Sequence, residues 1–255
     1  MKGMRVLVTR PAAQAKPIIE RLRHYEFEVH HLPCLDIVPV EPESLEGLQS
    51  KQWAMDLDNF DHVIVISTNA AKHWLDLVEG YWPQWPVGVR WWAVGEATQS
   101  RLRVTGIEAS RPDQGDTSEA LLATLLPFVE SYHKVLIVRG CGGREALADA
   151  LVAAGAQVSY AQCYQRKRPN ISPLQLALVD QFAPQAVLLQ SGETLVNFDY
   201  LLSHGDWCDK QRTVLVLPSA RVAEQAKTLG YGVLLTSGSA SNQAMCDTLL
   251  QKFEK

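Results

Sequence analysis

An internal repeat without gaps constrains this chain more than any other feature. Residues 5–40, RVLVTRPAAQAKPIIERLRHYEFEVHHLPCLDIVPV, match residues 134–169, KVLIVRGCGGREALADALVAAGAQVSYAQCYQRKRP, at a constant offset of 129 positions. Val6, Leu7 and Arg10 fall on Val135, Leu136 and Arg139, and Leu22, Val29 and Cys34 fall on Leu151, Val158 and Cys163. One match at so long a period indicates a duplicated supersecondary unit and not a solenoid, whose repeats run to roughly 20–50 residues. Each copy holds four apolar strand formers, a turn, about a dozen residues at helical spacing and a second alternating strand. That is a β-α-β unit, and its crossover makes the two strands parallel.

The repetition continues beyond these copies. Val63–Ile66 followed by Ser67-Thr68-Asn69-Ala70 is echoed by Ala186–Gln190 followed by Ser191-Gly192-Glu193-Thr194, at an offset of 124. The strand Arg90–Val94 ends at the turn Gly95-Glu96-Ala97-Thr98, echoed by Val214–Leu217 and the turn Pro218-Ser219-Ala220-Arg221. Thr117–Leu125, opened by the capping pattern Asp116-Thr117-Ser118-Glu119, is echoed by Ser241–Leu249. Between these lie an acidic helical stretch, Glu41–Asp58, and a short strand near Glu108. The fold class is therefore α/β: two similar domains, each a parallel sheet flanked by helices. Both β-α-β copies run into proline, at Pro39 and Pro42 and at Pro169 and Pro173. Proline stiffens extended connections, so residues near 38–42 and 165–169 read as two linkers.

The 255 residues allow two domains of about 120 residues each. Hydrophobic residues at 47% and charged residues at 20% are ordinary for a soluble globular protein. No signal peptide is expected, since the apolar run Val6–Val8 is stopped by Thr9 and Arg10, and no run approaches a membrane span. Five cysteines, Cys34, Cys141, Cys163, Cys208 and Cys246, show no zinc or redox spacing, and an odd number argues against a disulfide framework. These features suit a reducing cytoplasm. A net charge of −4 carries no footprint for nucleic acid. Arg166, Lys167 and Arg168 form a local basic cluster, either a solvated linker or an anion site. The loop Gly80–Val89, with Tyr81, Trp82 and Trp85, is expected to be pinned to its own domain by its aromatics, with partner binding as the rival reading.

In open α/β sheets ligands bind at the carboxyl ends of strands, where the Gly, Ser and Thr turns lie. Helix N-termini attract anions through unpaired N–H groups and the helix dipole. Two such domains facing one another would line a cleft with anion-binding backbone, which suggests a polyanionic small molecule. A dinucleotide site is the rival, because Gly140-Cys141-Gly142-Gly143 follows a strand and opens a helix. The G-x-G-x-x-G fingerprint needs glycine where Glu145 stands, and the strand Val158–Ala161 ends without the acid that would hold a ribose. No G-K-S or G-K-T occurs for a Walker loop. His24, His30, His31, His62, His73, His133 and His204 lack metal-ligand spacing and read as surface or packing residues. The turn serines lack the G-x-S-x-G elbow of hydrolases.

With these turns placed, the chain resembles the uroporphyrinogen-III synthase family over its whole length. The marks are VLVTRP at residues 6–11, Ser67 at its strand end, AVGEAT at 93–98, VRGCGGRE at 138–145, Tyr164, Ser191-Gly192, and PSA at 218–220. Ser219 stands where the family often has Thr, and Gln99 where Ala usually follows the residue matching Thr98. Counting along the sequence would join residues 5–38 with 60–125. The resemblance implies another arrangement: residues 1–38 and 169–255 form one discontinuous domain and residues 41–165 an inserted one, with both linkers crossing side by side.

The implied activity is that of a cofactor-independent, metal-free lyase of tetrapyrrole biosynthesis. It would close hydroxymethylbilane, a linear tetrapyrrole polycarboxylate, with inversion of the last pyrrole ring and loss of water. Positioning one folded conformer would supply most of the effect, up to roughly 7–11 kcal/mol in favourable cases. Tyr164 is the candidate catalytic residue, a phenol able to protonate the departing hydroxyl, or else a linker aromatic packed on a domain edge. Thr9, Arg10, Ser67, Thr68, Asn69, Gly95, Thr98, Arg139, Gly140, Ser191, Gly192 and Ser219 are the candidate substrate-binding residues. Arg10 and Arg139 either support the cleft or cap their own domains. The expected protein is a cytoplasmic monomer with no nucleic-acid or membrane partner. The alternative is a non-enzymatic two-domain protein that binds an anionic small molecule.

Overall fold

The computed structural model describes residues 3–113, 115, 117–143, 145–203 and 208–253. Asp116 of the capping pattern, Arg144 of the glycine-rich turn and His204 lie outside them. The chain opens with β1 (Arg5–Val8), α1 (Ala12–His24), β2 (Glu28–His31), β3 (Asp36–Pro39) and α2 (Leu45–Met55). It continues through β4 (His62–Val65), α3 (Thr68–Val78), β5 (Arg90–Ala93), α4 (Glu96–Arg103), β6 (Ala109–Ser110) and α5 (Ser118–Leu125). The central copy supplies β7 (Lys134–Gly140), α6 (Ala146–Ala153) and β8 (Gln157–Lys167), followed by α7 (Pro173–Phe182). Last come β9 (Ala186–Leu188), α8 (Gly192–Leu202), β10 (Val214–Leu217), α9 (Ala220–Thr228), β11 (Val233–Thr236) and α10 (Asn242–Phe253).

Two compact units result, one of Met1–Asp36 with Lys167–Lys255 and one of Ile37–Arg166. The first holds a five-stranded sheet in the order β11-β10-β9-β1-β2, every pairing parallel. The second holds the order β3-β8-β7-β4-β5-β6, parallel from β8 to β6. Remove β3 and the two orders are the same, with β7 in the place of β1 and β8 in the place of β2. Thus β1 pairs with β9 and β7 with β4, which is not the order that counting along the sequence gives.

Parallel sheets are covered by helices on both faces, which is why their strands are continuously apolar. In the first unit Leu7, Val187 and Leu215 pack beneath α8 and α9, while Val6, Ala186 and Val216 pack beneath α1 and α10. In the second, Val63, Leu136 and Ala93 meet Trp74 and Leu102, and Ile64, Ile137 and Trp92 meet Leu121 and Leu151. Among the described residues no helix is long and apolar enough to cross a membrane.

The proline-rich stretches are more structured than linkers. Asp36–Pro39 forms the edge strand β3, whose Ile37 packs on the second unit's core. Val40 N–H then donates to the Cys163 carbonyl at 3.2 Å. An edge strand tolerates proline because the missing donor faces no partner. With β3 to pair against, β8 runs on to Lys167 and does not stop near Ala161. The tryptophan loop is fastened to its own unit: Trp82 Nε1 donates to the Ala54 carbonyl and Trp85 Nε1 to the Thr105 carbonyl, both at 2.6 Å.

Candidate active site

In sheets of this order the neighbours of the first strand connect in opposite directions, and the crevice at their carboxyl ends is where ligands sit. In the second unit that point lies between β7 and β4, where Gly140 and Ser67 end their strands. Ser67 stands just past β4 in extended backbone, with φ of −162° and ψ of 163°, so that its Oγ accepts from Ala70 N–H and caps α3. The pairing of β7 with β8 shifts register between Arg139 and Gly140, so that Gly140 faces Tyr164 and Cys163 is skipped. Such bulges re-aim side chains beside functional sites.

The Tyr164 ring then fills the space in which a side chain at position 140 would stand. A Cβ on Gly140 would lie 2.6 Å from Tyr164 Cζ. His73 of α3 stacks on the ring at 5.7 Å between centroids and 28° between planes. Tyr164 is buried, and its hydroxyl reaches Ser67 Oγ at 3.4 Å. Catalytic hydrogen bonds are often this loose before substrate arrives. The fold therefore brings together Ser67 and Gly140, at the ends of β4 and β7, and Tyr164 from within β8. Thr68 and Asn69 form the first turn of α3 beside them.

Arg139 bonds within its own turn. Its side chain is 6% exposed, its Nη1 donates to Glu145 Oε1 at 3.1 Å, and its Nη2 donates to the Gly142 carbonyl. Tyr160 OH donates to the other Glu145 oxygen, and the guanidinium sits 5.0 Å from the Tyr160 ring. Gly142 and Gly143 both have positive φ, and a Cβ at Gly143 would collide with Arg139 Nη2. The glycines thus wrap a guanidinium, which explains a glycine-rich turn that fails the dinucleotide pattern. Arg139, Gly140, Tyr160, Tyr164 and Arg166 line one cavity of about 250 Å³.

The first unit repeats the layout with different contents. Thr9 is fully buried and its hydroxyl donates to the Leu188 carbonyl at 2.6 Å, tying β1 to β9. Arg10 donates through Nη2 to the Ala240 carbonyl, and its Nε has no partner. Ser191 caps α8 through Thr194 N–H at 3.0 Å. A Cβ on Gly192 would lie 2.5 Å from Gln225 Oε1, so a larger residue there would displace that side chain. Ser219 heads α9 without a side-chain cap bond. Gln190, just before Ser191, has both amide heavy atoms buried without a partner.

Gly95 begins α4 without a side-chain cap, but Thr98 is 4% exposed and packs inward. Thr9 and Thr98 of the candidate set are thus buried within their own units. Sequence reading missed His73, Tyr160 and Glu145. The signal for Glu145 was present, since it stands where the nucleotide fingerprint wants glycine. Among the described residues no three His, Cys, Asp or Glu side chains are grouped to hold a metal ion.

Comparison with known proteins places this chain in a family. The family described as uroporphyrinogen-III synthase HemD matches residues 16–247. A uroporphyrinogen-III synthase of Escherichia coli (strain K12) is 30% identical, over 96% of this chain and 100% of that protein. One from Salmonella typhimurium is 29% identical over the same shares. Among solved structures, the uroporphyrinogen-III synthetase of Helicobacter pylori 26695 superposes with a TM-score of 0.63 at 13% identity, covering 99% of this chain and 100% of that one. A mutant uroporphyrinogen III synthase of the extremely thermophilic bacterium Thermus thermophilus does so at 0.57 and 12% identity, covering 99% and 98%. At these identities the two structures speak to the fold.

Proposed function

The chain belongs to the uroporphyrinogen-III synthase family, and on that premise we propose that it converts hydroxymethylbilane to the ring-inverted cyclic tetrapyrrole with loss of water. The observation that carries the chemistry is the Ser67–Tyr164 contact, held in place by Gly140 and His73 at the carboxyl end of the second sheet. Tyr164 protonates the hydroxyl that leaves the bilane, and Ser67 orients the phenol. Departure of water leaves an electrophilic methylene carbon on the first ring, which the substituted α-carbon of the last ring attacks to give a spiro intermediate. Fragmentation and recombination then close the macrocycle with the ring inverted, and the proton lost when the pyrrole regains its aromaticity returns to Tyr164. No oxidant or reductant is consumed: water is lost and the ring closes, a lyase step in which we assign the proton transfer to Tyr164 and no role to a cofactor.

In each unit, α3 in one and α8 and α9 in the other, backbone N–H groups at the helix starts favour negative charge, which suits the carboxylates of the bilane. Thr68, Asn69, Gly140, Gly192 and Ser219 border those positions. The working form is a cytoplasmic monomer. The test supplies freshly made bilane to wild type and to Tyr164→Phe and resolves the ring isomers by chromatography. Wild type is expected to form the asymmetric isomer, and Tyr164→Phe to turn over on the order of 10²-fold more slowly with its circular dichroism unchanged. Wild-type protein that binds bilane and releases it unchanged would identify an anion-binding protein instead.

A further inference from the structure

We propose that Arg139 and Tyr160 form a carboxylate subsite for substrate, which the chain's own Glu145 occupies until substrate displaces it. The proposal rests on the reading of the substrate as a polycarboxylate and adds two residues, Tyr160 and Glu145, that determine how tightly it binds. Two donors from neighbouring strands grip the two oxygens of a single carboxylate: Arg139 Nη1 of β7 holds Oε1 at 3.1 Å and Tyr160 OH of β8 holds Oε2. That is the recognition pattern for a carboxylate in general. Its halves are unequally built in. The cation is 6% exposed, while the carboxylate that meets it is 56% exposed on the turn leading into α6. Arg139 Nε has no acceptor even with Glu145 in place, so the guanidinium is not saturated.

The pair favours an anion by more than proximity. Hydrogen bonding from Tyr160 first, and the charge of Arg139 after it, hold the Glu145 carboxyl below the usual carboxylate range. Burial and then the bond to Glu145 push the Tyr160 phenol up to about 12, so it stays a donor at working pH. The subsite opens on the cavity that Tyr164 and Arg166 also line. A substrate carboxylate arriving there replaces Glu145 contact for contact. An exposed ion-pair partner contributes little to stability, so Glu145 is poised to be exchanged.

Steady-state kinetics with fresh hydroxymethylbilane test this on wild type, Glu145→Gln, Tyr160→Phe and the double variant. Glu145→Gln is expected to lower KM by roughly three- to tenfold, and Tyr160→Phe to raise it by a similar factor. In the double variant the gain from Glu145→Gln should shrink. A Glu145→Gln protein that melts like wild type but has an equal or higher KM overturns the proposal. Should Glu145→Gln melt early, Tyr160→Phe decides: an unchanged KM overturns it, and a raised one upholds it. Titration of a porphyrin octacarboxylate, followed by tryptophan fluorescence, gives a readout independent of turnover. If wild type does not convert bilane but the variants keep the expected order of Kd, the catalytic reading fails and the subsite stands. An equal Kd for all four proteins removes the subsite.

Discussion

Tyr164 owes its position to the absence of a side chain one strand away. Gly140 has no φ that demands glycine; it is glycine because the phenol ring occupies the Cβ volume, with three ring carbons within 3.1 Å of where that atom would be. Gly140→Ala must therefore push the ring off Ser67 or separate β7 from β8. Overpacking of this kind costs about 1–3 kcal/mol. The expected result is a folded protein with a lower melting temperature and a turnover of bilane at or below that of Tyr164→Phe, measured by thermal unfolding and isomer analysis on the same preparation. A Gly140→Ala enzyme with wild-type turnover would remove Tyr164's placement from the mechanism. The sequence named Ser67, Gly140 and Tyr164 but not their contact. The contact depends on a register shift that skips Cys163, and nothing local to Tyr-Gln-Arg or to Gly-Cys-Gly encodes a shift between strands. Arg139 was legible as a strand-end cation; its partner Tyr160 was not, because their meeting is fixed only when β8 lies beside β7.

At the scale of elements, strand ends and helix caps were the readable part. Ser67, Thr117 and Ser191 each cap the helix that follows, because a hydroxyl accepting from the third N–H beyond it is a local matter of extended backbone. Strand β3 was not readable, since a four-residue stretch ending in proline becomes a strand only through its partner. The histidines show the same division. His62 is a packing residue, but its role comes from β5 and the turn before β7: Trp92 Nε1 donates to its Nδ1, and its Nε2 lies 3.1 Å from His133 Nδ1. His133 Nδ1 also accepts from Glu130 N–H, so the His62–His133 bond is donated by His62 in its neutral form. Burial first, then His133 and Arg90, lowers the His62 pKa. The unfolded chain therefore binds a proton that the folded one refuses. Stability is fully present above the ordinary histidine value of about 6.5 and falls as pH drops below it, with a limiting slope of about 1.4 kcal/mol per pH unit for one proton. Urea unfolding between pH 5 and pH 8 should show that loss in wild type and a shallower one in His62→Gln. The slope will not vanish there, because burial also lowers His30 and His73. Equal slopes in the two proteins would clear His62 of the effect.

For the whole molecule, the duplication has a structural consequence that the linear order hides: one unit is continuous in sequence and the other is not. Ile37–Arg166 carries its own sheet and a core on each face of it. A domain of that size buries about two-thirds of its unfolded surface, enough to fold alone. The other unit is cut between Asp36 and Lys167, and Asn197 of α8 closes the cut. Its Nδ2 donates to the Cys34 carbonyl at 2.8 Å, and its Oδ1 accepts from Arg168 Nε at 3.0 Å, while the Arg168 guanidinium lies 3.7 Å from the Tyr200 ring. The two ends are thus held to one buried amide, close enough for a short glycine-serine turn to join them. Residues 37–166 expressed alone should unfold cooperatively, with the amide dispersion of a folded α/β domain. Residues 1–36 joined to 167–255 should do the same. In that joined unit Asn197→Ala should cost about 1–3 kcal/mol, because it strands a buried carbonyl and a guanidinium donor together. Denaturant titration of the three proteins measures this directly. A fragment 37–166 without cooperative unfolding would mean that the duplicated halves fold only as one, and an Asn197→Ala unit as stable as its parent would mean that the crossing is held elsewhere.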